Sequence, residues 1–555
     1  MFRKILIANR GEIAIRIIRT AREMGIASVA VYSDTDKNSL HAALADEAYR
    51  LGPSSPAQGY LDGDKLIACA KESGADAIHP GYGFLAENAA FARAVAAAGL
   101  TWIGPHGDAI HAMGDKLRAR QAMQKAGVPL VPGGTEAITG IAAAREAAQR
   151  YGLPLALKAS AGGGGKGLRV AASMDDVPSA FENARREAQA YFKDETIYAE
   201  RYLENPKHVE LQVLADGRGN VVHLGERDCS LQRRHQKLWE ETPALIPEKV
   251  RAAMREAGIR AAKAIRYDSA GTIECLVSGD DFYFLEMNTR IQVEHTISEM
   301  VTGIDLVREQ IRIAAGEPLG YGQEDIDFRG FSIEVRVNAE DPAQGFRPEP
   351  GTISAYREPG GLGVRVDSAA YAGWTIPPDY DSLIAKLIVW APSRQAALAR
   401  LRRSIDEYAI EGVPTTLPFL RALSDHPAVL DASFGTATLE RFAQTLAPSA
   451  RNGVRLPSPA SRPAERRLAP RLGAMRKREN ASSGNDVRSP MHGLIVELGV
   501  ATGDPVSDGQ VVAIIEAMKM MNEIRAHTSG VVSAIHTSAG ATVENGSPIV
   551  TIEPT

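Results

Sequence analysis

The decapeptide Glu286-Met287-Asn288-Thr289-Arg290-Ile291-Gln292-Val293-Glu294-His295 follows an apolar strand expected over Phe282 to Leu285. Glu274 lies on the strand expected just before it, Gly271 to Val277. Two carboxylates on adjacent strands, together with the Asn288 carboxamide, make an oxygen-only donor set. Such a set suits Mg2+ or Mn2+ bridging nucleotide phosphates. Charge this dense in a strand-borne peptide is hard to explain by packing, because a buried charge is costly unless paired. A salt-bridged sheet edge is the bland alternative. The decapeptide therefore points to an α/β nucleotide site with its chemistry at a strand end.

A second chemical segment lies upstream. Lys158-Ala159-Ser160-Ala161-Gly162-Gly163-Gly164-Gly165-Lys166-Gly167 follows the apolar strand Leu155 to Leu157. Consecutive glycines let backbone amides approach an anion closely, and Lys158 and Lys166 add positive charge. The loop is not of the Walker A type, because Gly167 rather than Ser or Thr follows Lys166. It contains GxGxxG formally, but no acidic residue ends a following strand in the dinucleotide-binding manner.

Further out, residues 4–8 form an apolar strand, and Ile13, Ile17, Ile18 and Ala21 follow at helical period. Gly25 closes that helix and Ser28 to Tyr32 reads as the next strand, so the chain opens as a parallel-sheet unit that alternates to about Leu100. From 205 to about 330 strands dominate before a helical stretch, Asp305 to Ala315. Residues 331–390 return to β patterns, and Arg394 to Tyr408 and Leu417 to Leu423 read as helices. At 555 residues with 44% hydrophobic and 24% charged content, the chain is an ordinary globular protein of three or four units. A net charge of −5 argues against general nucleic-acid binding. Cys69, Cys229 and Cys275 are too scattered for a zinc site or disulfide framework. No apolar run reaches the length of a membrane helix or signal peptide, so a cytoplasmic location without membrane association is expected.

The C-terminus is built on a repeat. Gly493, Gly503, Val506, Gly509 and Glu516 recur 37 positions later as Gly530, Gly540, Val543, Gly546 and Glu553. Short apolar strands with glycines at turns predict two halves of a small β-sandwich. Lys519, in Glu516-Ala517-Met518-Lys519-Met520, falls just past the first half, where a hairpin would display it. Between the two parts, residues 443–488 hold ten Arg or Lys against three Asp or Glu, with no apolar period. This reads as a flexible tether, and its 46 residues have an r.m.s. span of roughly 40 Å. Nucleic-acid binding by the segment is disfavoured, since it lacks aromatic residues to stack bases.

Over about residues 1–445 these features resemble the biotin carboxylase family, a branch of the ATP-grasp fold. The most specific runs are His79-Pro80-Gly81-Tyr82-Gly83-Phe84-Leu85, the stretch from Arg227 to Lys237, and Glu286 to His295. The resemblance implies that Lys116 and Lys158 bind ATP phosphates, with the loop Gly162 to Gly167 (Gly163, Gly164, Gly165, Lys166 and Gly167 among them) closing as a lid. Glu200 and Leu203 would face the adenine, and His208, Gln232 and His235 would contact the nucleotide. Glu274, Glu286 and Asn288 would hold the metal ions, while Lys237, Arg290, Gln292 and Val293 would cradle bicarbonate. Glu294 would be the general base and Arg336 would face biotin. Bicarbonate would be activated as carboxyphosphate before biotin is carboxylated. Thr296 is a departure, since the family usually has proline after the histidine.

The segment around Lys519 resembles the biotin carboxyl carrier domain. The lipoyl domain shares the fold but usually has Asp before its lysine, so Met518 favours biotin. The fold class implied is α/β then all-β. It comprises an N-terminal parallel-sheet domain (1–114), an ATP-grasp domain (115–330, lid about 130–205), a C-terminal β domain (331–445), a flexible linker (446–488) and a small biotinyl/lipoyl-like β-sandwich (489–555). Biotin on Lys519, ATP and Mg2+ or Mn2+ are the implied cofactors. Nothing in the chain resembles a crotonase-type transferase or the barrel of pyruvate carboxylase. The implied partners are therefore a biotin protein ligase, further copies of the chain in a homo-oligomer, and a separate carboxyltransferase subunit. Acetyl-CoA or propionyl-CoA is the expected acceptor, with pyruvate or a longer or branched acyl-CoA as the alternative. The competing classes are a carboxylate–amine ligase of the same fold and a non-catalytic carrier scaffold.

Overall fold

The computed structural model describes residues 1–161, 167–234, 236–451, 485–518 and 520–554. The expectations placed on Gly163, Gly164, Gly165, Lys166, His235, Lys519 and most of the tether lie outside the described residues.

The N-terminal part is a five-stranded parallel sheet in the order Glu47–Gly52, Ala27–Ser33, Lys4–Ile7, Ala77–His79, Thr101–Trp102. Its alternation is that of a sheet covered on both faces. Leu6, Val29 and Ile78 pack with Leu66 and Val95, while Ile5, Ile7 and Ala77 pack with Ile13, Ile17 and Ile18 of helix Gly11–Glu23. That helix is buried on nearly every side, and it carries Glu12 and Arg16 into the interior with its isoleucines.

The lid region folds as a three-stranded sheet, Leu168–Ala171, Leu155–Ala159 and Ile197–Arg201, backed by helices Ile141–Tyr151 and Val177–Phe192. The centre of the molecule is an eight-stranded antiparallel sheet. Its order is Asp281–Asn288, Ala270–Ser278, Lys207–Ala215, Val221–Arg233, Gln236–Thr242, Phe331–Asn338, Leu383–Ala391, Val364–Ser368. The sheet is continuous across residue 330, because Phe331–Asn338 pairs directly with Gln236–Thr242.

Strand periodicity sorts this sheet into two unlike faces. Val209, Leu211 and Val213 enter the apolar core with Val250, Met254 and Ala257 of helix Glu248–Ala264, which leaves His208, Glu210 and Gln212 on the opposite face. The same alternation puts Ile333, Val335, Leu387 and Val389 against helix Arg394–Glu407. Glu334, Arg336 and Lys386 are left on the face where helix His295–Thr302 packs. Helix Glu248–Ala264 interrupts a region read from sequence as strand-dominated. Its buried Val250, Met254, Ala257 and Ala261 do follow a helical period, but in an alanine-rich, weakly apolar stretch.

Helix Thr438–Arg451 continues past residue 445, and strand Asp486–Arg488 already belongs to the C-terminal sandwich. That sandwich is the sequence repeat made structural. One sheet is Asp486–Arg488, Pro548–Pro554, Gly530–Ile535, Pro505–Val506; the other is Met520–Arg525, Val511–Ala517, Gly493–Leu498, Thr542–Val543. Gly493 and Gly530 occupy matching places. A Cβ there would meet the Glu516 carbonyl oxygen at 2.6 Å and the Glu553 carbonyl oxygen at 2.2 Å, so each repeat glycine seats against the last strand of its own half. Strands Val511–Ala517 and Met520–Arg525 pair antiparallel, with Ala517 opposite Met520. Met518 has φ 48° and is buried in the apolar cluster that contains Phe346, Trp374 and Phe419, beside the eight-stranded sheet.

Candidate active site

The site is built on the polar face of the large sheet. Glu274 and Glu286 are directly opposite each other in register, as are Thr272 and Asn288. Cross-strand partners on one face approach to about 5 Å at Cβ, so the two carboxylates form a pair by sheet geometry. Asn288 Nδ2 donates to Glu274 Oε1 at 2.7 Å, and Lys116 Nζ reaches Glu286 Oε2 at 3.0 Å. Lys116 opens helix Lys116–Lys125, whose N-cap Asp115 accepts from the Arg118 amide and the Ser160 hydroxyl. This ties Lys116 to the end of strand Leu155–Ala159. The donor set fits a hard divalent cation, with oxygen ligands on adjacent strands and cationic side chains alongside.

Lys158 pairs with Glu200, whose other oxygen accepts from Arg120 at 2.7 Å. The Glu200 side chain, expected to face the adenine, is thus taken up in an ion triad with Lys158 and Arg120 on the lid sheet. Leu203 lies half-buried in the turn that leaves strand Ile197–Arg201. Gly167, with φ +73°, accepts from the Ala159 amide at 3.0 Å and returns the chain to the lid sheet.

His208 Nε2 lies 3.1 Å from Glu274 and 3.3 Å from Glu210, while Gln232 contacts its Nδ1 at 3.3 Å. Burial opposes a charge on His208, but Glu274 and Glu210 raise its pKa to about 9. Lys237 is the hub of three carboxylates. Its Nζ contacts Glu210, Glu294 at 2.7 Å and Glu274 at 3.2 Å. Gln292 bridges Arg227 and Glu274 at 2.6 and 2.9 Å. Arg290 is held by Glu87 at 2.9 Å and Asn288 at 2.8 Å.

Glu294 caps helix His295–Thr302 and lies between two cations, Lys237 and Arg336, the latter at 3.0 Å. Burial would push its carboxyl up, and Glu210 adds to that. Lys237 and Arg336 outweigh both and hold the pKa below the ordinary value. Glu294 is thus a buried carboxylate held in its ionised form between two cations, a state able to accept a proton. Behind Arg336, Glu240 accepts from its Nε at 2.7 Å, and burial raises Glu240 to about 7. Thr296 donates its hydroxyl to Glu334, which pairs across the sheet with Glu240.

The structure therefore brings Lys116, Lys237, Glu274, Glu286, Asn288, Arg290, Gln292, Glu294 and Arg336 into one polar network with His208 and Gln232, and sets Lys158 and Glu200 on adjacent strands of the lid sheet. Sequence reading assigned no role to Glu87, Glu210, Arg227 or Glu240. Alternation of His208, Glu210 and Gln212 along one strand was the available signal for Glu210. Glu87, only two residues past the motif ending at Leu85, had none beyond that nearness.

A polar sheet face carrying a carboxylate pair, an anion hub and a lid sheet, followed by a carrier sandwich, defines an ATP-grasp enzyme with its own carrier module. Residues 1–110 and 334–441 match the N-terminal and C-terminal domains of biotin carboxylase. Residues 115–321 match the ATP-binding domain of the carbamoyl-phosphate synthase L chain, and 485–552 match the family described as biotin-requiring enzymes. A pyruvate carboxylase subunit of Methanothermobacter thermautotrophicus is 51% identical over 80% of this chain and 90% of its own. The biotin-dependent acyl-coenzyme A carboxylase alpha3 subunit of Mycobacterium leprae is 42% identical over 99% of this chain and 98% of its own. The biotin carboxylase domain of Hydrogenobacter thermophilus 2-oxoglutarate carboxylase, solved as a dimer with MgADP, ADP and bicarbonate, superposes with a TM-score of 0.77. It is 50% identical over 80% of this chain and 98% of that one. The chain belongs to the biotin carboxylase family. Among the described residues, no helix is long and apolar enough to cross a membrane.

Proposed function

We propose that the chain is the carboxylase-and-carrier subunit of a multi-subunit acyl-CoA carboxylase, using ATP and bicarbonate to carboxylate biotin carried on Lys519. The observation that carries the reading is Glu294, an ionised carboxylate fixed between Lys237 and Arg336. In this reading Lys116 and Lys158 hold the phosphates of ATP, and Lys237, Arg290, Gln292 and Val293 hold bicarbonate. Glu294 takes the bicarbonate proton as its oxygen attacks the γ-phosphorus, ADP leaves, and carboxyphosphate results. Glu274, Glu286 and Asn288 would hold Mg2+, which would neutralise charge on the transferred phosphoryl group. Carboxyphosphate would then break down to CO2 and phosphate, the phosphate would take the proton of the biotin ureido nitrogen, and that nitrogen would bond to CO2, with Arg336 placed to bind the ureido oxygen.

Full-length similarity to an acyl-CoA carboxylase subunit supports the acyl-CoA acceptor, with acetyl-CoA or propionyl-CoA favoured. The pyruvate-type relative is more alike in sequence but matches only 80% of this chain. Acceptor choice would belong to a partner carboxyltransferase, because the families matched along the chain are those of biotin carboxylase, an ATP-binding domain and a biotin-requiring domain. Burial of Met518 against the carboxylase-like part supports the carrier's return to that part. A biotin protein ligase and self-association of the carboxylase part complete the proposed partners, in the cytoplasm.

The test is to purify the native complex and assay acetyl-CoA, propionyl-CoA and pyruvate. Acyl-CoA carboxylation is expected, and Lys519→Arg should remove both the biotin mass and all acceptor carboxylation while sparing free-biotin carboxylation. Pyruvate as sole acceptor would establish the alternative.

A further inference from the structure

Lys386 is fully buried, yet the chemistry outlined above does not use it. It stands on strand Leu383–Ala391, paired in register with Arg336 on one side and Asp367 on the other. The charged groups facing it come from several elements. Glu12 Oε2 of helix Gly11–Glu23 is 3.4 Å away, and Asp367 Oδ2 of strand Val364–Ser368 is 3.8 Å away. Arg365 and Glu334 act on it from the same sheet, and Lys386 acts in turn on His295 of helix His295–Thr302. With carboxylates available, the shortest bond of the ammonium is nevertheless to a neutral acceptor. Lys386 Nζ donates to the Val293 carbonyl oxygen at 2.7 Å.

That choice matters because Val293 precedes Glu294. A peptide group is planar and trans, so fastening the Val293 carbonyl toward the sheet turns the Glu294 N–H away from it and sets the direction in which the Glu294 side chain leaves the turn. A hydrogen bond from a buried charged donor is among the stronger ones available to a carbonyl. Glu12, the carboxylate nearest to Lys386, also receives the Tyr82 hydroxyl from the turn after strand Ala77–His79. That turn is held by Asn9, whose Nδ2 donates to the Pro80 and Tyr82 carbonyls at 2.7 Å each. An unbroken chain of contacts thus runs from the N-terminal sheet through Tyr82, Glu12 and Lys386 to Val293.

We propose that Lys386 is a positioning residue for bicarbonate, holding the Arg290–Glu294 turn in its anion-binding shape and tying that shape to the N-terminal domain. The proposal rests on the reading of this turn as the bicarbonate site. The test uses the full-length chain and free biotin, with KM measured separately for bicarbonate and ATP. Lys386→Met keeps the length of the side chain and removes the donor. Lys386→Met with Glu12→Gln removes the stranded charge as well, so that a folded variant is available if the single change unfolds. The expected result in the charge-balanced variant is a rise of about tenfold or more in bicarbonate KM, with ATP KM within about twofold of the parent. A merely structural role would move both constants together and lower kcat. An unchanged bicarbonate KM, or equal rises for both substrates, overturns the proposal. Arg290→Ala serves as the separate arm. If it leaves bicarbonate KM unchanged, the reading of the turn itself is wrong. If it raises KM while the Lys386 variants do not, only the role of Lys386 is lost.

Discussion

The polar face of the central sheet and the C-terminal sandwich are both β-structure, but they are held together in opposite ways. The sandwich closes on an apolar cluster of Val487, Ile495, Val512, Ile515, Ile549 and Ile552, assembled from two copies of one pattern. The central sheet instead buries Glu210, Arg227, Glu240, Glu334 and Lys386 side by side. Such charges cost folding free energy unless each finds a partner, and removing one member of a pair leaves the other stranded. The carrier needs only a stable platform that presents a hairpin. The carboxylase needs groups whose charge states are held away from their ordinary values, and burial together with opposite charges supplies that.

If this contrast is right, the largest single effect belongs to the charged face. Glu294→Gln keeps the size and the hydrogen bonds but removes the proton acceptor. Loss of a general base typically lowers the rate by about 10² to 10⁴-fold, and bicarbonate-dependent ATP turnover should fall on that scale while ATP affinity holds. Full turnover in this variant would remove Glu294 from the role of base.

On the carrier side the sensitive positions are steric. In Gly530→Ala, the new methyl group would meet the Glu553 carbonyl oxygen at 2.2 Å and Ile552 Cγ2 at 2.8 Å. Overpacking of this kind costs about 1–3 kcal/mol. Melting of the sandwich should drop accordingly, with free-biotin carboxylation unchanged, because the new methyl group disturbs the sandwich's own apolar cluster, to which Ile552 belongs, while Met518 is the sandwich residue that joins the other cluster. Loss of free-biotin carboxylation in Gly530→Ala would erase the distinction between the regions.

Legibility followed the same division. The sandwich could be read from sequence because its repeat places Gly493 and Gly530, and Gly509 and Gly546, at a constant spacing. The parallel sheet and the Glu274–Glu286 pair could be read because strand alternation and a short hairpin are local properties. The partners that set the charges could not. Glu87, Glu210, Arg227, Glu240 and Lys386 reach their partners only through the tertiary fold, across 203 residues for Arg290 and Glu87 and further still for Lys386 and Glu12. A buried Lys386 in an otherwise apolar strand looks like an ordinary interruption until the Val293 carbonyl is seen beneath it. Thr296, a departure from the family pattern, uses its hydroxyl on the buried Glu334, and no local pattern announces that contact.

The smallest effect, and the one that sharpens the contrast most, concerns Glu240. Burial raises its pKa from 4.5 to about 7, with Glu294 adding to the rise and Arg336 and Lys237 opposing it. A carboxyl whose folded pKa lies above its unfolded value binds its proton more tightly in the native state. Its contribution to stability is therefore fully present below about pH 4.5 and is lost as pH climbs to about 7. One proton corresponds to a slope of at most about 1.4 kcal/mol per pH unit across that window. Glu240→Gln cannot titrate, so its unfolding free energy should decline less steeply between pH 5 and 7 than that of the parent. Above pH 7 the two slopes should run parallel. Glu334, also raised by burial, feels the charge of Glu240 across the strand pair, so part of the change in slope reports the coupling of the two carboxyls. Denaturant unfolding at pH 5, 6, 7 and 8, followed by a probe in the carboxylase part, gives the two slopes directly. Identical slopes would mean that Arg336 keeps Glu240 ionised throughout, and the charged face would then be a set of settled ion pairs, with no carboxyl titrating near neutral pH at Glu240.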